Sequence, residues 1–362
     1  MDRLEPRLKP PATKGHVSVA RLVDYWYVAC PSSTLAARPL GRTVVGIPIV
    51  LFRGTDGRPG ALLDRCPHRN VPLSLGRVVG GRHLQCGYHG WEFDPEGRCQ
   101  KIPGLPAGVD RERRVDAFPV IEQDGLIWVY PVASAQPATS PPDLPRLGRE
   151  YVRVVREVRA DASLHAVMEN ALDVPHTAFL HKGLFRSEKA DAEKNEITAV
   201  VRRRADRVEA EYLGEPRPTG AVAKLLSPSG GTVEHWDRFI LPSIAQVEYR
   251  LGTENHFLVT SLATPETDFS TRMCAVVEFK LRVPARAIKP ILEPLALRIF
   301  GQDAAILKAQ TETVQRFGGE QFTSTEADVL GADIWRLLRQ AERGELGAGP
   351  EAVVERRVRL LV

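Results

Sequence analysis

The chain is 362 residues long, with 49 basic against 45 acidic residues, 43% hydrophobic residues and five cysteines. At roughly 100–200 residues per domain two domains are expected. A net charge of +4 over this length is no footprint for a polyanion, so nucleic acid is a poor partner, and five cysteines are too few and too odd in number for a disulfide scaffold.

The N-terminal MDRLEPRLKPPATKG is charged and proline-bearing, without the apolar core of a signal peptide. No window of about 20 apolar residues follows, so no spanning helix and a cytoplasmic protein are expected, with membrane contact by the tail a minor reading. Short apolar runs bounded by Gly, Pro and Asp occupy 43–52, 60–64 and 125–130. They predict a small antiparallel β domain over 1–132. Residues 133–148 hold a proline-rich linker that can continue neither a helix nor a central strand.

Alternating strands are expected at 152–158, 197–201, 208–212, 257–262 and 274–281, and helical periodicity at 291–300, 303–317 and 333–342. The fold class is therefore α+β: a small all-β domain, then a domain over 149–345 with a large antiparallel sheet flanked by helices. Residues 346–362 form a basic, apolar tail, read as a final strand or docked segment.

Chemistry gathers at two places. Cys66-Pro67-His68 and Cys86-Gly87-Tyr88-His89 are separated by 17 residues, and each supplies one thiolate and one imidazole from a Gly/Pro-rich loop. Such a set suits tetrahedral zinc or a [2Fe–2S] cluster with two His replacing two Cys on one iron. Zinc fingers usually pair like with like in one hairpin, so one of each type per loop fits the cluster better. Gly87 and Gly90 permit close backbone approach, and Trp91 can shield the site. Cys30, Cys99 and Cys274 read as small buried hydrophobes, and His83 as a surface or strand residue.

The stretch from Cys66 to Gly76, with Cys86-Gly87-Tyr88-His89-Gly90-Trp91, resembles the Rieske motif of the ring-hydroxylating oxygenase family. The likeness extends over roughly residues 20–345. It makes Cys66, His68, Cys86 and His89 the expected cluster ligands.

The second place is Asn170-Ala171-Leu172-Asp173-Val174-Pro175-His176, followed five residues on by His181. On a regular helix the two histidines would stand about 140° apart, so one metal requires the backbone to unwind or bulge between them. The spacing matches the mononuclear-iron motif of the same family, which completes a two-His, one-carboxylate triad from much later in the chain. The candidate is Asp303, which with Leu307 and Val314 lines one face of a helix. The bland alternative is an acidic residue at a helix N-terminus.

By the same resemblance Asp173 is a catalytic bridge, joining His176 to His68 or His89 of a neighbouring subunit. Asn170 also matches, without a clear role. The resemblance implies a homotrimer, a [2Fe–2S] Rieske cluster, a mononuclear Fe(II), O2 as co-substrate, and electrons from a separate NAD(P)H-dependent reductase or ferredoxin, the chain having no credible G-x-G-x-x-G unit. The expected reaction is hydroxylation or oxidative demethylation of a small apolar substrate, aromatic, terpenoid or steroid-like, as in the monooxygenase and demethylase branch. Leu184, Phe185, Val201, Leu225, Leu226, Phe239, Ile244 and Val247 are the pocket candidates. The rivals are a Rieske electron-transfer protein without oxygenase activity and a zinc-stabilised binding module.

Overall fold

The computed structural model describes residues 17–106, 112–181, 195–216, 233–252, 255–281, 285–346 and 353–361. The chain divides into two compact units, one built mainly from 21–145 with Thr264–Thr267, the other from 146–263 and 268–362.

The first unit is β throughout its described residues apart from two 3-10 turns, Ser32–Thr34 and Leu73–Leu75. Strands β1 (Tyr27–Pro31), β10 (Leu126–Val129) and β9 (Val120–Gln123) form one sheet. Strands β2 (Leu40–Val44), β3 (Ile47–Arg53) and β4 (Pro59–Leu63) form a second. A third holds β5 (Arg77–Val79), β6 (His83–Gln85), β7 (Glu92–Phe93) and β8 (Cys99–Lys101). The apolar run at 43–52 is thus a hairpin rather than one strand. Val45 and Gly46 form its two-residue loop, with φ of 49° and 80°, as a tight hairpin turn demands of both central residues. Val44 and Val45 are fully buried there, and the apolar turn hides the break from a hydropathy reading.

The proline-rich segment is strapped to this unit. Trp26 Nε1 donates to Thr139 O at 2.7 Å, Gln123 Nε2 donates to Pro142 O at 3.3 Å, and Leu144 is buried.

The second unit carries an eight-stranded sheet in the order β11-β17-β16-β15-β14-β13-β12-β18. Its strands are β11 (Val152–Ala160), β12 (Glu196–Arg203), β13 (Arg207–Leu213), β14 (Val233–Ile240), β15 (Ile244–Leu251), β16 (Asn255–Thr267), β17 (Ser270–Lys280) and β18 (Val354–Leu361). The period-two pattern explains the two faces: in β13, Val208, Ala210 and Tyr212 are buried while Glu209 and Glu211 point the other way. The tail adds β18 to the edge of β12, with Val358 opposite Ala199.

The helices are α1 (Leu164–Ala171), α2 (His176–Phe179), α3 (Ala285–Arg316) and α4 (Gly331–Glu342). Ser163 caps α1, its side chain accepting from Ala166 N at 3.2 Å. The two helical stretches expected at 291–300 and 303–317 are one helix of 32 residues. Gly301 lies between the two stretches. It has space around it and no positive φ, so the helix tolerates it at a modest propensity cost. Among the described residues no helix is long and apolar enough to cross a membrane.

Candidate redox and metal sites

The two Cys-His loops are one turn built twice. Cys66 N donates to Val71 O at 2.9 Å and Cys86 N donates to Trp91 O at 2.8 Å. Asn70 N donates back to Cys66 O at 2.9 Å, and Gly90 N to Cys86 O at 3.1 Å. Asn70 and Gly90, each four residues after its cysteine, both take positive φ, 61° and 72°. That conformation suits Asn and Gly above other residues. Gly87 has a different reason: a Cβ there would lie 2.8 Å from Leu75 O.

This framework sinks the sulfurs and raises the imidazoles. Cys66 and Cys86 are buried, while His68 is half-buried and His89 exposed. Burial, and the neighbouring Cys86 sulfur, push the Cys66 thiol up to about 11. A thiol held so high needs a cation beside it to become a thiolate. The His68 and His89 rings meet edge-on with centroids 4.5 Å apart, and His68 stacks on Trp91 at 5.0 Å. Burial, then His89 and Arg69, hold His68 below its ordinary pKa, in the neutral form a metal ligand needs. Its Nδ1 is buried without a hydrogen-bond partner. Two sulfurs and two imidazoles fit a Rieske cluster. Cys30, Cys99 and Cys274 are buried thiols. His83 is on β6, with Nδ1 3.9 Å from a Glu92 carboxylate oxygen.

In the second unit, α1 ends at Ala171 and the chain unwinds through Leu172–Pro175 before the single turn α2. The break therefore lies before His176 and after Phe179, and no bulge within a continuous helix is needed. His176 Nε2 and His181 Nε2 come within 3.3 Å. Asp303 Oδ1 lies 3.1 Å from His181 Nε2 and 3.6 Å from His176 Nε2. Among the described residues this trio is the one group of three or more such side chains with ligand atoms all within 4.8 Å of one another. Asp303 Oδ1 is buried yet accepts no hydrogen bond, as a lone pair reserved for a cation would be. Burial opposes charge on His181, but Asp303 and Gln302 prevail and its pKa is raised. Either a proton or a metal ion belongs at this point, and two imidazoles with one carboxylate fit a facial-triad iron. Asp303 is mid-helix in α3, so the helix-terminus explanation fails.

Asp173 Oδ2 sits 3.4 Å from His176 Nδ1. Asn170 closes α1 through its backbone oxygen, which accepts from Leu172 N. Both line a cavity of about 960 Å³ that reaches His176 and Leu172 and is rimmed by exposed Phe179, Ile306, Phe317 and Phe322. None of the described pocket candidates is among its described lining residues. Val201, Phe239 and Ile244 are buried and Val247 is half-buried, while Leu184, Phe185, Leu225 and Leu226 lie outside the described residues.

Two features carry no signal in the sequence. His181 Nδ1 lies 3.0 Å from Gln302 Oε1. On β14 the buried His235 is clamped by Glu215 Oε2 at 2.7 Å and Asp237 Oδ1 at 3.0 Å, with Tyr212 and Tyr249 stacked on its two faces at 4.4 and 3.9 Å.

Comparison with known proteins finds matches in both halves of the chain. The Rieske [2Fe-2S] domain model matches residues 25–119, and the vanillate O-demethylase oxygenase C-terminal domain model matches 160–344. The oxygenase component of dicamba O-demethylase from Stenotrophomonas maltophilia is 38% identical over 258 residues, covering 68% of this chain and 74% of that protein. The oxygenase component of chloroacetanilide N-alkylformylase from Rhizorhabdus wittichii is 29% identical, covering 90% and 96%. The crystal structure of dicamba monooxygenase bound to dicamba superposes with a TM-score of 0.74 at 26% identity, over 90% of this chain and 99% of that one. A structure of the same enzyme with non-heme iron and dicamba gives 0.69 at 27%, over 90% and 99%. A catalytic-domain match beside the Rieske match overturns the electron-carrier and zinc-module readings. The chain belongs to the Rieske non-haem iron oxygenases, O2-dependent oxidoreductases with a [2Fe–2S] cluster and a mononuclear iron, in the branch that includes the dicamba and vanillate O-demethylase oxygenases.

Proposed function

We propose that Cys66, His68, Cys86 and His89 hold the Rieske cluster, that His176, His181 and Asp303 hold the mononuclear iron, and that Asp173 links the two centres between subunits. The observation that carries the iron assignment is the buried Asp303 Oδ1, aimed at two imidazole nitrogens without a hydrogen bond. When bound, the two groups supply one-electron transfer and activation of O2. The chain's own residues do the rest. Asp303 and the two histidines present three donors to one point. Asp173 sets the outer edge of the His176 ring, and Trp91 covers one face of His68.

The substrate class is a small apolar molecule, an aromatic methyl ether foremost; the O-demethylase relatives, named for dicamba and vanillate, support the methyl ether. Demethylation balances as ether, O2, two electrons and two protons giving phenol, formaldehyde and water. Electrons come from a separate reductase or ferredoxin, and the protein works in the cytoplasm. Residues 1–132 carry the electron-storing domain, and 149–345 the oxidising one. The assembly is a homotrimer, in which the tip bearing His68, His89 and exposed Tyr88 and Leu75 of one copy meets the Asp173 cavity of the next. Apolar side chains exposed around both surfaces support this, as does the acidic wall of the cavity, with Glu169, Asp173 and Asp328, against a tip carrying Arg65 and Arg69.

Metal analysis tests the ligand assignment. The purified protein should hold about three irons per chain, and Asp303→Ala about two, with the Rieske visible spectrum kept. An unchanged iron count in Asp303→Ala removes Asp303 as a ligand. Formaldehyde release from a panel of methoxyarenes, with O2 uptake, tests the substrate class; uptake driven only by polar non-aromatic compounds overturns it.

A further inference from the structure

Gln302 stands immediately before Asp303 on α3, and the two residues hold opposite edges of one ring. Gln302 Oε1 lies 3.0 Å from His181 Nδ1, and Asp303 Oδ1 lies 3.1 Å from Nε2. His181 is 1% exposed, so solvent has little part in setting its tautomer. An amide oxygen can only accept, so the contact keeps the proton of the neutral ring on Nδ1. Nε2 then keeps its lone pair, and Nε2 is the atom directed at His176 Nε2 and Asp303. The other ring is served differently, because His176 Nδ1 faces the Asp173 carboxylate.

We infer that Gln302 is a positioning residue of the mononuclear site: its amide oxygen fixes His181 as the Nδ1–H tautomer and aims Nε2 at the point shared with His176 and Asp303, without adding charge. The inference rests on the assignment of His176, His181 and Asp303 as metal ligands. Leucine at 302 has similar bulk but no acceptor, and it would leave a buried N–H unpaired. Glutamate keeps the acceptor.

The test is Co2+ binding by the full chain with its Rieske cluster assembled and its mononuclear iron removed by chelation, followed by equilibrium dialysis. Gln302→Leu should bind Co2+ about 10–100-fold more weakly with an unchanged Rieske spectrum, and Gln302→Glu should return to within about threefold of the parent. Gln302→Met replaces the leucine variant if that one does not fold. Parental affinity in the leucine or methionine variant overturns the role of Gln302, as does an equal loss in Gln302→Glu. Asp303→Ala runs beside them: lost binding there with parental binding in Gln302→Leu defeats Gln302 alone, whereas parental binding in Asp303→Ala defeats the metal site itself.

Discussion

Asp173 Oδ2 lies 3.4 Å from His176 Nδ1, while Nε2 of the same ring faces Asp303 Oδ1 at 3.6 Å. One imidazole thus has a carboxylate on each side, and only the inner one belongs to the converging trio. Asp173→Asn keeps the shape of the outer contact and removes its charge. Both iron centres should remain, while re-oxidation of the pre-reduced Rieske cluster by O2 and substrate slows about 10–100-fold in single-turnover absorbance traces. A parental rate would take Asp173 out of the electron path.

Gly76 links the two Cys-His loops by close contact. A Cβ there would lie 2.1 Å from Gln85 O, the residue before Cys86, and a backbone oxygen cannot swing aside. Gly76→Ala should therefore destabilise the first unit by the upper part of about 1–3 kcal/mol. It should also lower Rieske cluster occupancy, read as the visible absorbance per protein. Gly104→Ala is no substitute control for space alone, since Gly104 has φ of 86°. Gly301→Ala, at a helical position with open space, should leave occupancy unchanged.

The clamped His235 gives stability a pH dependence with a defined sign. Burial disfavours its charge, but Asp237 and Glu215 outweigh that and raise its pKa from 6.5 to about 9. The folded state therefore keeps a proton that the unfolded chain releases. The contribution is fully present below pH 6.5 and is lost as pH rises through about 9. Thermal denaturation followed across that window should show Tm falling with pH in the parent and a flatter profile in His235→Gln. Parallel profiles would mean that His235 is not the titrating group.

Much of the strand content was legible because one-sided burial in the large sheet imposes a period of two, as in β13. The residues of the second site could be read for another reason: His176 and His181 sit in a local motif, and the structure brings the distant Asp303 to them. Readings failed where local preference and tertiary context disagree. Gly301 marks a break by propensity, yet α3 runs through it. Val45 is a poor residue for positive φ, yet the hairpin places it there. Gln302 and His235 were invisible for a third reason. A lone Gln has no spacing to betray it, and Glu215, just after β13, reaches His235 and Asp237 on one face of β14 only through the pairing of the two strands.

The length of α3 bears on how the mononuclear site accommodates change. Asp303 is borne on the interior of a 32-residue helix, where displacement of one residue must drag many hydrogen-bonded turns with it. His176 opens a helix of four residues, and His181 follows its end. The site therefore has one stiff wall and one compliant wall. With a metal held by these three side chains, a difference in its radius would be taken up by the histidine side, against a carboxylate borne on the long helix.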